Sequence, residues 1–150
     1  TITATGGTFV QDGIPDVAFI TTKFESGIVA HIEVSWLAPS KLRRTTVVGS
    51  KKMVVYDDTE SIEKVKVFDR GVQYKDPETF GEFQLSYRTG DILIPKLDQF
   101  EPLALEATEF LSSIQNGTAP LSDGRSGLRV VKALQAAQES LDNGGTPVHL

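Results

Sequence analysis

The chain has 150 residues, 39% hydrophobic and 23% charged, with a net charge of −5 and no cysteine. That length suits one domain able to bury a core, and the ordinary composition excludes global disorder. The absence of cysteine excludes disulfides, thiolate metal sites and a cysteine nucleophile and fits a reducing, cytoplasmic setting; the acidic balance argues against a nucleic-acid partner, and no apolar run reaches the ~18 residues of a membrane span. The opening Thr1-Ile2-Thr3-Ala4-Thr5 already reads as a strand, with no basic or apolar leader before it. The chain is therefore expected to be cut from something longer, or processed.

Strands follow in order. Val17 to Phe24 leads through Glu25-Ser26-Gly27 into Ile28 to Trp36, a hairpin signal. The second of these runs alternates cleanly. Ile28, Ala30, Ile32, Val34 and Trp36 are apolar and His31, Glu33 and Ser35 are polar, which predicts one buried face and one polar face. Thr45 to Val48, a turn at Gly49-Ser50-Lys51-Lys52, Met53 to Tyr56, and Val65 to Phe68 continue the series. Gly71, Pro77, Gly81, Gly90 and Pro95 mark residues 70 to 100 as loops and short extended pieces, among them Glu82 to Tyr87 and Asp91 to Ile94.

Two helices end the chain. Pro102 fits a first helical position, Leu103, Ala107, Phe110, Leu111 and Ile114 form an apolar stripe, and Asn116-Gly117 is a stop. The second helix starts at Ser122-Asp123, carries Val130, Val131, Leu134, Ala137 and Leu141 as its stripe, and ends at Gly144-Gly145. Strands first and helices after predict an α+β domain. Its sheet is large and mostly antiparallel, with the helices on one face and the other face open. The early connections are too short for helical crossovers, so parallel pairing is not expected.

The inventory for chemistry is sparse. His31 reads as a polar sheet or interface residue, and His149 stands next to the last residue, so neither a histidine metal site nor a serine triad is expected. Gly124-Arg125-Ser126-Gly127 reads as a capped helix start rather than a phosphate loop. Two polar clusters are better candidates. The Trp36–Arg44 loop places Lys41, Arg43 and Arg44 close together, able to clamp a phosphate or carboxylate. Tyr87-Arg88-Thr89-Gly90-Asp91, with Pro95-Lys96-Leu97-Asp98, offers hydrogen-bonding side chains around a flexible glycine.

Together these segments resemble a known family. Val47-Val48-Gly49-Ser50-Lys51-Lys52-Met53, then Tyr56-Asp57-Asp58, with the loop before them, are similar to the C-terminal domain of the Gfo/Idh/MocA (glucose–fructose oxidoreductase / inositol dehydrogenase) family. Tyr87 to Leu97 with Glu101-Pro102-Leu103 resembles the branch acting on nucleotide-linked amino sugars, and Ser122 to Val131 resembles the family's final helix. The resemblance implies a dihydrodipicolinate-reductase-like C-terminal domain that walls the substrate site and oligomerises through its open sheet face. It implies a separate N-terminal Rossmann domain binding NAD or NADP, a sugar substrate such as a UDP-sugar, and no cofactor on this chain alone. It points to Lys41 and Arg44, then Tyr87, Arg88 and Lys96, as substrate-binding residues. The family's Glu-Lys-Pro motif is absent here, and the segment with its catalytic histidine would lie upstream of Thr1, so no catalytic residue is assigned. Lys52 departs from the glycine that commonly follows Gly-Ser-Lys in the family. Two rival readings are a stand-alone dimerisation module without activity and a small-molecule binding domain built on the two cationic loops.

Overall fold

A computed structural model of the chain describes residues 1–74, 85–88, 90–98 and 100–150. They gather into two compact units, Thr1–Ala38 with Phe100–Leu150, and Pro39–Gln99.

In the first unit β1 (Ile2–Gly7), β2 (Val17–Lys23) and β3 (Val29–Ser35) form an antiparallel meander in that order. The link between β2 and β3 is a tight turn closed by Phe24 N–H to Ile28 C=O at 2.9 Å. Gly27 there has φ +85°, a conformation that side chains with a Cβ resist. The register places Ile2, Ala4, Ala18, Ile20, Ile32 and Val34 on one side of the sheet. Thr3, Phe19, Thr21, His31 and Glu33 lie on the other.

Onto the first side comes α2 (Gly124–Asp142), capped by Asp123, whose carboxylate accepts the Ser126 N–H at 2.7 Å. Ile2 and Ala4 of β1 meet Ala136 and Ala137 of α2 in the core, with Ile20, Ala133, Leu141 and Val148 packed round them. Ser140 lies in the same seam and is fully buried. Its Oγ accepts the Ala4 N–H at 2.9 Å, so the polar atom that enters the core arrives with a partner. The chain then returns past Gly145 to pair Val148 with Ile2 at 2.8 and 2.9 Å.

This seam corrects two expectations. Of the expected α2 stripe, Ala137 and Leu141 belong to the packed face, but Val130, Val131 and Leu134 are exposed. The buried face runs through Ala133, Ala136, Ala137 and Ser140, about a quarter turn round the helix. Small side chains let the helix backbone come close to the sheet, which valine and leucine on the seam would prevent. Ile28, Ile32 and Val34 of the apolar row of β3 are also exposed, and Trp36 at its end most of all. A single helix is ~10–12 Å across and sits over β1, so strands spaced ~4.8 Å apart carry β3 past its edge.

The other helix of this unit, α1 (Pro102–Asn116), obeys its local signals. Pro102 is at N1, the Glu101 carboxylate accepts the Ala104 N–H at 2.6 Å, and Gly117 closes the helix in the left-handed region. Its expected apolar stripe is nevertheless exposed at Leu103, Phe110, Leu111 and Ile114, and the half-buried residues are Ser112 and Ser113. Helix formation needed the spacing and the caps alone. Burial of the stripe needs a surface that the described part of this unit does not provide.

The second unit holds β4 (Arg44–Val48), β5 (Met53–Asp57), β6 (Val65–Phe68), β7 (Gly71–Tyr74), β8 (Leu85–Arg88) and β9 (Ile92–Leu93). Four of them make a sheet in the order β4-β5-β6-β9, and β7 pairs with β8. All pairings among the described residues are antiparallel, as expected. The Gly49–Lys52 turn closes through Gly49 N–H to Lys52 C=O at 2.9 Å and sets Val48 opposite Met53. Of the expected Glu82–Tyr87 strand, Leu85 onward forms β8, and residues 82–84 lie outside the described residues. The α+β class is that read from the sequence, with the antiparallel strands divided among three hydrogen-bonded sheets. No described helix is long and apolar enough to cross a membrane.

Ser140→Ala strands the buried Ala4 N–H and is expected to cost ~1–3 kcal/mol. A urea unfolding curve with a lower midpoint and an unchanged slope is the result that checks it.

Candidate functional site

The strongest concentration of polar chemistry in the second unit lies where β4 begins and β5 ends. The register sets Arg44 opposite Asp57. Arg44 donates from Nε and Nη2 to Asp57 Oδ2 at 3.0 and 2.9 Å. The other carboxylate oxygen accepts the Thr59 hydroxyl at 2.6 Å and the Thr59 N–H at 3.1 Å. The Thr59 hydroxyl first, and the Arg44 guanidinium second, hold the Asp57 carboxyl below its ordinary range. The neighbouring Asp58 accepts the Tyr56 hydroxyl at 2.9 Å and lies 3.4 Å from Arg43 and 3.6 Å from Lys64. Its carboxyl is likewise lowered, by Tyr56 and then Arg43, while the same hydrogen bond pushes the Tyr56 phenol up. Lys66 is raised by Glu63, 2.7 Å away.

Arg44 and Asp57 line a cavity of about 410 Å³ together with the apolar Met53, Val55 and Phe68 and the charged Glu60, Glu63, Lys64 and Lys66. Two N–H groups of Arg44 are spent on Asp57, out of the five donors of a guanidinium. Lys96 belongs to a different cavity, also about 410 Å³, beside Ser61, Ile62 and Leu97. Lys41 is exposed in the loop before β4. Tyr87 and Arg88 take positions in β8 opposite Val72 and Gly71. Thr89, expected in the same cluster, lies outside the described residues. The structure thus pairs Arg44 with an acid that sequence spacing did not reveal and places Arg44 and Lys96 at separate cavities.

In the first unit the open side of the sheet carries the polar row expected on β3. The His31 ring stacks on Phe19, with centroids 6.4 Å apart and planes at 13°, and its Nδ1 lies 3.3 Å from the Thr21 hydroxyl. The other side has a cavity of about 350 Å³ lined by Pro15, Asp16, Ala18, Val34, Ser35 and Trp36. Asp16 was missed by sequence reasoning. It stands in a turn-rich segment, Asp12-Gly13-Ile14-Pro15-Asp16, where an acid reads as an ordinary loop residue. No group of histidine and carboxylate side chains suited to a metal occurs among the described residues.

The paired carboxylates give stability a pH dependence with a definite sign. Both are held below their ordinary value of 3.8 in the fold. Their contribution is complete above that value and is lost as pH falls through the folded one. The stability gap between the native chain and an Asp57→Asn, Asp58→Asn double variant is therefore expected to narrow as pH falls from about 5. Urea midpoints measured across that range check this, and a gap that widens on acidification contradicts it.

Comparison with known proteins adds to this geometry. Residues 1–55 match the family model described as the GFO/IDH/MocA C-terminal domain. No curated protein matches the sequence. Two structures of the UDP-N-acetylglucosamine 3-dehydrogenase GnnA from Acidithiobacillus ferrooxidans share the fold, with TM-scores of 0.72 and 0.74 at 20% and 18% identity. Each alignment covers 95% of this chain and 40% of that protein, so the chain spans well under half the length of the structures it matches. The resemblance carried by the sequence motifs is borne out as a likeness: residues 1–55 match the model of the GFO/IDH/MocA C-terminal domain, and the chain shares the fold of the GnnA structures over 95% of its length.

Proposed function

We propose that the chain is the C-terminal, substrate-binding and oligomerisation domain of an NAD(P)-dependent oxidoreductase acting on a UDP-linked sugar. The observation that carries this is the fold match over 95% of the chain to 40% of a UDP-N-acetylglucosamine 3-dehydrogenase. In this reading an N-terminal Rossmann domain outside these residues binds the dinucleotide, and this chain contributes no catalytic residue.

Among the described residues, the one glycine-bearing helix start does not fit the dinucleotide. The glycine-bearing helix start at Gly124–Gly127 already holds an acid, since Asp123 accepts the Ser126 N–H through its carboxylate at 2.7 Å and the Gly127 N–H through its carbonyl at 3.0 Å. A pyrophosphate there meets a like charge where it needs free N–H donors. The element before α2 is the helix α1, not the strand of a dinucleotide fold.

The cations supply what a sugar nucleotide needs, a set of donors for its diphosphate. Lys41 and Lys96, with the further donors of Arg44 and with Tyr87 and Arg88 of β8, are the residues assigned to substrate. The open side of the first sheet, with the Phe19–His31 stack on it, is the surface assigned to a second copy. The protein acts in the cytoplasm in this reading, in keeping with the absence of cysteine.

The test is made on the full-length protein, by following reduced nicotinamide with UDP-sugars and NAD or NADP. Lys96→Ala and Lys41→Ala are expected to raise KM for the UDP-sugar about tenfold each while leaving kcat close to its original value. Calorimetry on the 150-residue chain is expected to show no NAD affinity. Measurable NAD binding by this chain, or a full-length protein inert towards every UDP-sugar, counts against the assignment. Phe19→Glu on the open face is expected to shift sedimentation towards a monomer, and an unchanged oligomer removes that face from the interface.

A further inference from the structure

Trp36 is 88% exposed, although it ends the alternating apolar row of β3 and is the one tryptophan of the chain. An indole left in water forgoes the stabilisation that its large apolar area gives on burial. Its backbone, in contrast, is firmly mounted. The Trp36 N–H donates to the Asp16 carbonyl at 2.9 Å, and Asp16 in turn donates its own N–H to Gly7 at 2.9 Å. The Asp16 carboxylate, on a residue only 9% exposed, accepts the N–H groups of Phe9 and Val10 through one oxygen at 2.6 and 2.8 Å. The next turn is held by Leu37 N–H to Ser35 Oγ at 3.0 Å. A rigid mount under an exposed ring is the arrangement of a binding platform.

The cavity beside it has the size and chemistry of a small-ligand site. Its 350 Å³ falls within the ~300–1,000 Å³ of small-molecule pockets. Its wall is small and apolar at Pro15, Ala18 and Val34, and its one charged lining residue is Asp16. An acid disfavours a phosphate and suits hydroxyl donors. An indole face suits the C–H face of a ring.

We propose that this corner is a stacking site for the sugar ring, with Trp36 as the platform and Asp16 as the residue that positions it. This rests on the reading of the chain as part of a UDP-sugar oxidoreductase, and it divides the substrate by chemistry. The neutral ring is the part of the substrate that the Trp36 corner of the first unit takes. The Asp16 backbone carbonyl holds Trp36 and its carboxylate holds Phe9 and Val10, so an oxygen at the carboxylate's place keeps the turn under the ring whether or not it is charged.

Trp36 is its own reporter. Titrating the chain with N-acetylglucosamine or UDP-N-acetylglucosamine is expected to move its emission to shorter wavelength, and UDP alone is expected to leave it in place. Sugar binding by the variants is read by saturation-transfer NMR, which needs no tryptophan. Trp36→Ala is expected to weaken it about three- to tenfold, with Trp36→Phe close to the original. Asp16→Ala should weaken it similarly, while Asp16→Asn, which keeps an oxygen for Phe9 and Val10, restores it. Should Asp16→Ala fail to fold, the Asn and Trp36 variants still decide. UDP-sugar binding seen by calorimetry with unmoved Trp36 emission overturns the stacking site and leaves the UDP-sugar reading standing. An emission change with UDP alone as large as with the UDP-sugar assigns the platform to the base and also overturns it. Absence of UDP-sugar binding by both this chain and the full-length protein brings down the two readings together.

Discussion

The first unit depends on how closely α2 can approach β1. Ala133, Ala136, Ala137 and Ser140 form a seam of small side chains against Ile2 and Ala4. Small side chains on the helix let its backbone come close to the strand. Ser140 makes the approach tolerable as well as close, because its hydroxyl oxygen takes the Ala4 N–H that the helix would otherwise cut off from water. Once the helix is seated on the first strand, the rest follows. The side of the sheet carrying His31 and Glu33 is left open, and the apolar row of β3 lies beyond the helix with Trp36 at its end.

The second unit is held by a different device, charge pairing at strand ends. Arg44 with Asp57, and Arg43 and Lys64 with Asp58, tie the start of β4 and the turn after β5. This bears directly on function. A loop rich in Lys and Arg looks like a ready anion clamp, yet part of its charge is already matched by Asp57 and Asp58. In the proposed reading, what Arg44 offers a ligand is directional, the further donors of a guanidinium lining a cavity rather than a bare cation. In the same proposed reading, Lys41 and Lys96 serve as point charges.

Much of this architecture was legible in the residue order. Alternation over Ile28 to Trp36 located β3, and Glu25-Ser26-Gly27 located the turn before it. Pro102, Gly117 and Asp123 marked helix ends where the structure has them. These signals work because hydrogen bonding and backbone conformation in a turn or cap are decided within a few residues. The candidate site was legible in part. The Trp36–Arg44 loop was recognised as polar and cationic, but neither the Arg44–Asp57 pair nor the role of Asp16 could be seen, because each joins segments that only the folded chain brings together.

The division has one physical source. Periodicity and turn chemistry are local, so the sequence by itself determined the α+β class, the strand and helix positions and the family resemblance. It could also say which faces are apolar. It could not say which apolar faces are covered, since coverage is a property of partners and of approach distance. The stripe through Val130 and Leu134 is more hydrophobic than the seam that is buried, and the fold chose the seam of alanines and serine because close contact rewards fit over hydrophobicity. The same choice left Trp36 in the open on a fixed backbone, and that tertiary outcome, not the residue's identity, makes it a candidate platform.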